Sequence, residues 1–165
     1  MLDFFMRTGI FPGSFDPVTY GHLDIVKRAE HICDRLIVAV AKNSQKEGFF
    51  SVEERLELLN LCCKEFQGFV EVVSFDGLLV DYCRANSISF IIRGVRSFSD
   101  FEYENMNAAV NKKLAPEIET LYMIAGADTY LISSQVVREV ASYHRSVSEF
   151  VPPFVSEKIL QKFKI

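Results

Sequence analysis

The sequence lacks the short signatures by which many nucleotide, metal or acyl-transfer sites are recognised. It has no Gly-x-Gly-x-x-Gly and no Gly-x4-Gly-Lys-Ser/Thr, so a dinucleotide fingerprint and a P-loop are excluded. No Gly-x-Ser-x-Gly elbow is present, and Ser-His-Asp hydrolysis is not suggested. No His, Cys or carboxylate cluster has metal-site spacing, so no metal ligands are predicted. The four cysteines, Cys33, Cys62, Cys63 and Cys83, form no Cys-x-x-Cys pair. They read as small apolar core residues of a reducing compartment. No apolar run approaches the roughly 20 residues of a membrane helix, so no membrane partner is expected. Met1-Leu-Asp-Phe-Phe-Met-Arg7 has no basic region followed by an apolar stretch and a cleavage site. The expectation is a cytoplasmic protein without a signal peptide. Repeats, low-complexity tracts and linkers are also missing. The formal net charge of −4 argues against wholesale nucleic-acid binding, so cations for a polyanionic small ligand must be concentrated locally.

What is present is an alternation of short apolar runs and helical patterns over 165 residues, read as a single domain spanning 1–165. Candidate strands are Arg7–Phe11, Leu36–Ala41, Val70–Phe75, Phe90–Arg93 and Thr120–Ile124. They are apolar almost throughout, as strands covered on both faces are. Between them lie candidate helices Leu23–Ile32, Val52–Phe66, Leu78–Ala85 and Phe98–Leu114. Ser51-Val-Glu-Glu54 is a capping box for the second of these. From Ser134 onward the pattern is again helical, interrupted at Pro152-Pro153, with an apolar stripe at Val155, Ile159, Leu160 and Phe163. This predicts an α/β fold: a Rossmann-like, doubly wound, five-stranded parallel sheet of order 3-2-1-4-5 with C-terminal helices. In such sheets ligands sit beyond the carboxyl ends of the strands where the winding reverses. Here that is between the first and fourth strands.

The residues at those two exits carry the chemistry. After the first strand, Gly13-Ser-Phe-Asp-Pro-Val-Thr-Tyr-Gly-His22 is a tight loop running into a helix, with His22 in its first turn. Unpaired N–H groups and the helix dipole make that place favourable to phosphate. Ser14 and the Phe15 backbone can donate to phosphate oxygens. Asp16-Pro17 reads as a turn former rather than a catalytic acid. His31 and His144 have no such surroundings and read as structural. Lys46, in the loop after the second strand, would lie on the same rim as His22, and its flexible ammonium can follow charge building on a phosphate. After the fourth strand comes Arg93-Gly94-Val95-Arg96. Its guanidinium groups suit bidentate phosphate contacts, or else ion pairs with Asp100, Glu102 or Glu104. Glu104 could touch a ribose or adenine edge, or orient an arginine. Ser133-Ser134 precedes a helix, as an ordinary N-cap or as a second anion site.

Four motifs together carry a resemblance. Pro12-Gly-Ser-Phe-Asp-Pro17 with Thr19-Tyr-Gly-His22 is similar to the Thr/His-x-Gly-His signature of nucleotidyltransferases. With Ile92-Arg-Gly-Val-Arg96, Asp100-Phe-Glu-Tyr-Glu104 and Ile132-Ser-Ser134, the chain resembles the phosphopantetheine adenylyltransferase family from about Ile10 to Leu160. The resemblance implies adenylyl transfer from ATP to 4′-phosphopantetheine, giving dephospho-coenzyme A and pyrophosphate, with magnesium (Mg2+) bound mainly through ATP phosphates and water. It implies His22, as transition-state stabiliser, with Lys46 and Arg96 as the catalytic set. Ser14, Phe15, His22, Gly94, Val95, Arg96, Glu104 and the segment Thr129, Tyr130, Leu131, Ile132, Ser133, Ser134 and Gln135 would bind ATP. Ser14, Lys46, Leu79 and Arg93 would bind phosphopantetheine. A homohexamer, and coenzyme A as a candidate inhibitor, are expected on the same ground. The chain departs from the family pattern at Tyr20, which stands for Asn and is expected to face outward, and at Gln135, which stands for a third serine. Ile124–Thr129 lacks the usual proline- and aromatic-rich loop.

Other readings stay open on the residues alone. A sister nucleotidyltransferase could act on nicotinate mononucleotide, or on a phospho-alcohol with CTP. A class I aminoacyl-tRNA synthetase fragment shares the histidine signature, but this sequence has no Lys-Met-Ser-Lys-Ser loop. A nucleotide-binding module of the same fold without catalysis is the non-enzymatic alternative.

Overall fold

In the computed structural model, which describes residues 6–42 and 48–163, five parallel strands form one sheet. The strands are β1 (Thr8–Gly13), β2 (Arg35–Ala41), β3 (Val70–Phe75), β4 (Phe90–Val95) and β5 (Glu119–Ile124), in the order β3-β2-β1-β4-β5. The helices are α1 (Tyr20–Ala29), α2 (Val52–Cys62), α3 (Leu79–Ala85), α4 (Phe98–Leu114), α5 (Ser134–Ser142) and α6 (Pro153–Phe163). The fold is the Rossmann-like α/β arrangement that the alternation of apolar runs predicts.

Side-chain alternation along the strands divides the core into two layers. Phe11 of β1 and Leu36, Val38 and Val40 of β2 face one side, against Ile25 and Val26 of α1, Leu58 and Leu59 of α2, Val137 of α5 and Ile159 of α6. Ile10, Ile37 and Ala39 face the other, against Val80 and Cys83 of α3, with Ile91 of β4. Helix α4 buries none of its residues.

Register makes the opening for the site. β1 pairs with β2 along its whole length, from Thr8↔Arg35 to Gly13↔Val40. It pairs with β4 only at Gly9↔Phe90 and Ile10↔Ile91. Beyond Ile10 and Ile91 the two strands part, while β4 stays paired with β5 as far as Val95↔Ile124. This is the reversal point of the sheet, where a ligand crevice is expected.

Several boundaries differ from the sequence reading. β1 starts one residue late, at Thr8, and continues to Gly13 because its pairing with β2 extends past the Pro12-Gly13 turn signal. α1 begins at Tyr20, not Leu23, because Thr19 is its N-cap, extended at φ −132°. α2 ends at Cys62, and the last predicted turn, Cys63–Phe66, tightens to a 3-10 turn. β4 runs on through Val95, and the C-terminal region is two helices, with Pro153 opening α6. Proline suits a first helical position, where its missing N–H costs nothing. The Ser51 capping box forms as predicted: Glu54 N–H donates to Ser51 Oγ at 3.2 Å, and Ser51 N–H to Glu54 Oε2 at 2.8 Å. Tyr20 does not face outward; its ring packs, half-buried, against the core.

Candidate active site

A cleft of about 370 Å³ opens where β1 and β4 separate. Its floor comes from the β1–α1 loop. Phe15 sits there in the left-handed region at φ 46° with its ring fully buried. That backbone conformation is costly for a bulky side chain and is kept where the surroundings enforce it. The ring lies edge-on to His22, centroids 5.0 Å apart, and edge-on to Phe11 at 5.4 Å. A side chain at Gly13 would meet the Phe15 ring at 3.0 Å, so glycine there avoids a tight contact with the buried ring.

His22 is held from behind. The Thr19 backbone N–H donates to its Nδ1 at 3.0 Å, and Thr19 Oγ1 lies 3.0 Å from the same nitrogen. An Nδ1 that accepts leaves the proton on Nε2. The ring is half-buried between aromatic neighbours. That desolvation, followed by the nearby Arg96 charge, lowers its pKa to about 4. At neutral pH, His22 is therefore a neutral N–H donor, not a cation. The helix start is also less open than the sequence suggests, because the Tyr20 amide donates to the Phe150 carbonyl at 3.0 Å.

The β4 exit brings Arg93, Gly94 and Arg96 to the same cleft. Both arginines are engaged. Arg93 Nε donates to Glu104 Oε2 at 2.6 Å and its NH2 donates to Glu104 Oε1. Its NH1 donates to the Pro12 carbonyl at 2.8 Å, capping a β1 oxygen that lies where the two strands part. Arg96 Nε donates to Asp100 Oδ2 at 2.9 Å. The alternative of ion pairs at this exit is thus realised for both residues, with Glu104 and Asp100 as partners. Glu102 is exposed and takes no part in these pairs.

The third wall is the loop before α5. Thr129, Ile132, Ser133, Ser134 and Gln135 line the cleft. Ser133 is the N-cap of α5, its Oγ accepting the Val136 N–H at 3.1 Å. Ser134 Oγ donates to the Pro17 carbonyl at 2.7 Å, tying this wall to the floor. Gly21 of α1 allows that approach: a Cβ there would lie 3.3 Å from the Ile132 carbonyl.

Most of the expected site residues come together: Ser14, Phe15, His22, Arg93, Gly94, Arg96, Glu104, Thr129, Ile132 and Ser133–Gln135 line one cleft. Four of the described ones do not line it. Val95 points into the core, and Tyr130 and Leu131 turn their side chains to solvent. Leu79 lines a second cleft of about 250 Å³, with Ile91, Asn107 and Asn111, and this cleft shares Arg93 and Glu104 with the first. Lys46 lies outside the described residues.

Two functional groups were missed. Arg138 lines the cleft and donates to the Asp16 carbonyl. It lies one helical turn beyond Ser134, a spacing that could have placed both on one face. Asp16 is more than a turn former. Its carboxylate accepts the Phe49 N–H at 2.7 Å and the Phe50 N–H at 2.8 Å, and the residue is buried. Arg55, also buried, adds a bond from its NH1 to the Ser14 carbonyl at 3.0 Å. Together these fasten Phe49, Phe50 and the start of α2 to the floor of the cleft.

The crystal structure of a protein from Vibrio parahaemolyticus, described as a candidate nicotinate-nucleotide adenylyltransferase, has a similar fold. The likeness has a TM-score of 0.64 at 16% identity, covering 94% of this chain and 99% of that one. The model of the cytidylyltransferase-like family matches residues 10–140, which contain most of β1, all of β2 to β5 and most of α5. The chain therefore belongs to the cytidylyltransferase-like family, within the nucleotidyltransferase superfamily.

Proposed function

We propose that this nucleotidyltransferase moves the adenylyl group of ATP onto 4′-phosphopantetheine, releasing pyrophosphate and forming dephospho-coenzyme A. The observation that carries this reading is the pair of adjoining clefts joined at Arg93 and Glu104. The first, walled by His22, Arg96, Arg138 and the start of α5, suits a triphosphate. The second combines apolar side chains, Leu79 and Ile91, with the amides of Asn107 and Asn111. That mixture suits an extended chain bearing amide bonds, as pantetheine is.

In this reaction an oxygen of the acceptor phosphate attacks the α-phosphorus of ATP in line. The new O–P bond forms as the bond to the β-phosphate oxygen breaks, and the electron pair leaves with pyrophosphate. No protein nucleophile is needed, so positioning and charge stabilisation supply the acceleration. His22 donates its Nε2–H to the α-phosphate as charge builds there. Arg96, Arg138 and the N-terminal end of α5 hold the departing phosphates, with Gln135 in place of a third hydroxyl. Ser14, the Phe15 backbone, Gly94 and the Thr129–Ser134 segment complete the nucleotide's surroundings, with Val95, Tyr130 and Leu131 contributing through their backbone. Arg93 and Leu79 take the acceptor. Lys46 is assigned by resemblance to follow the transferring phosphate.

Magnesium belongs to the proposal as counter-ion of the nucleotide. Among the described residues lining the cleft, Glu104 is the one carboxylate, and Arg93 engages it. Phosphate oxygens and water are the donors on offer, as is common for this ion. A homohexamer is also proposed. Helix α4 supports self-association: it exposes Phe98 at 75%, Met106 at 64% and Val110 at 59%, a large apolar surface for a free helix. Sedimentation of Met106→Glu against the unmodified protein tests it.

A second acceptor, nicotinate mononucleotide, is favoured by the likeness to the Vibrio protein. Pyrophosphate release with ATP and each acceptor, with and without chelator, separates the two. Turnover with phosphopantetheine alone is the expected result; turnover only with nicotinate mononucleotide would reject the substrate proposed here.

A further inference from the structure

Glu104 lies at the boundary of the two clefts, yet both of its carboxylate oxygens are directed at one side chain, Arg93. We infer that Glu104 is a positioning residue for the phosphorylated acceptor, acting through Arg93, and not a contact for the nucleotide. The inference rests on the reaction proposed above and assigns a role that the resemblance places elsewhere.

The guanidinium geometry carries it. An arginine has five N–H donors in a fixed plane. Glu104 takes two, from Nε and NH2, and the Pro12 carbonyl takes a third from NH1. Two N–H groups are left, one on each terminal nitrogen. That is the forked arrangement which binds two oxygens of one phosphate. With Glu104 on one side and β1 on the other, the guanidinium cannot turn without breaking charge-assisted bonds. Glu104 is largely buried, its side chain 13% exposed, so water offers the carboxylate little alternative.

Placement decides which substrate this fork serves. Arg96, Arg138 and Ser133 line the first cleft only, while Arg93 and Glu104 line both. A group shared with the Leu79 cleft meets the substrate that extends into it. The fork would bring the acceptor phosphate to the mouth of the triphosphate cleft, where in-line attack begins. A ribose hydroxyl, by contrast, would find both Glu104 oxygens already bonded to the guanidinium, with only their remaining lone pairs to reach.

The test is a double-mutant cycle of Glu104→Gln, Arg93→Ala and the combined variant. It reads KM for each substrate, and calorimetric Kd for α,β-methylene-ATP, a non-transferring analogue. Glu104→Gln should raise the acceptor KM by ~10-fold or more, in the range for losing a charged hydrogen bond. The analogue's Kd should stay within about twofold. In the Arg93→Ala background the same change should add less than about twofold, because the pathway is already cut. A weakened analogue Kd, or additive losses in the combined variant, overturns the inference. Thermal unfolding controls for folding, and Glu104→Asp, which keeps the charge but displaces the oxygens, should show the same KM split at smaller size. The cycle is run with whichever phosphorylated acceptor the unmodified protein uses. If that is nicotinate mononucleotide, the substrate proposal fails while the cycle still decides the role of Glu104.

Discussion

The backbone N–H of Thr19 donates to Nδ1 of His22 at 3.0 Å, so a helix cap and a candidate catalytic group are one structure. The bond fixes the tautomer with the proton on Nε2. It follows that His22→Ala removes a donor aimed at the cleft and also a helix cap. Turnover should fall by ~10²–10³, the range for losing one transition-state hydrogen bond. The cap should cost ~1 kcal/mol of stability. Steady-state kinetics with circular dichroism check both, and unchanged turnover in a folded variant would remove His22 from the reaction.

The pH behaviour has a definite sign. The His22 pKa is lowered from 6.5 to about 4 by burial and by Arg96. Between those values the unfolded chain binds the proton and the folded chain does not, so stability rises with pH there. The contribution is complete above about pH 6.5 and declines toward about 4, by at most ~1.4 kcal/mol per pH unit. Urea unfolding across that window should show it, and Gln at position 22 should flatten the slope. The rate profile should carry no His22 inflection near 6.5.

Asp16 stabilises two backbone amides at once, those of Phe49 and Phe50. Asp16→Ala leaves both without their acceptor, and should cost ~2–6 kcal/mol, from ~1–3 for each unsatisfied group. Gly48→Ala attacks the same contact from the other side. Its Cβ would lie 2.8 Å from the Phe50 carbonyl and 3.1 Å from Asp16 Oδ2. Chemical denaturation midpoints measure both. An Asp16→Ala midpoint equal to that of the unmodified protein would show that the carboxylate does not hold Phe49 and Phe50.

Arg138→Ala should act on the nucleotide. The side chain lines the first cleft, which the proposed reaction gives to the triphosphate, and is absent from the lining of the Leu79 cleft. A rise in ATP KM of ~10-fold, with acceptor KM little changed, is expected for loss of a charge-assisted phosphate contact. A selective effect on the acceptor would contradict this placement.

Burial pushes the thiols of Cys63 and Cys83 up to about 11 and that of Cys62 to about 12, and raises Cys33 as well. All four are buried and free. Iodoacetamide should therefore leave the folded chain unmodified and label all four after denaturation, counted by mass spectrometry.

Local signals made most of the fold legible. Strands covered on both faces are continuous apolar runs, and Ser51-Val-Glu-Glu54 marks a helix start wherever it occurs. The Thr19 cap was harder to read, because its reciprocal partner is a histidine rather than Glu or Gln. In the site, position along the chain placed His22 and Arg96 on one rim, since each follows a strand exit. Partnerships were another matter. Asp16 with Phe49 and Phe50, and Arg138 with the Asp16 carbonyl, join residues far apart in sequence through backbone atoms. Backbone N–H and carbonyl groups have no residue identity, so such contacts leave no pattern of residue types. Arg93 and Glu104 were legible as alternatives, but only geometry fixes which acid meets which arginine.

The early parting of β1 from β4 has a consequence for how this scaffold can change. The gap follows the course of two main chains, with glycines at Gly13, Gly21 and Gly94 along its lining. If the Leu79 cleft takes the acceptor as proposed, residues such as Leu79, Asn107 or Asn111 can be exchanged while the hydrophobic layers above and below stay intact. The socket is structural, and its fittings are interchangeable.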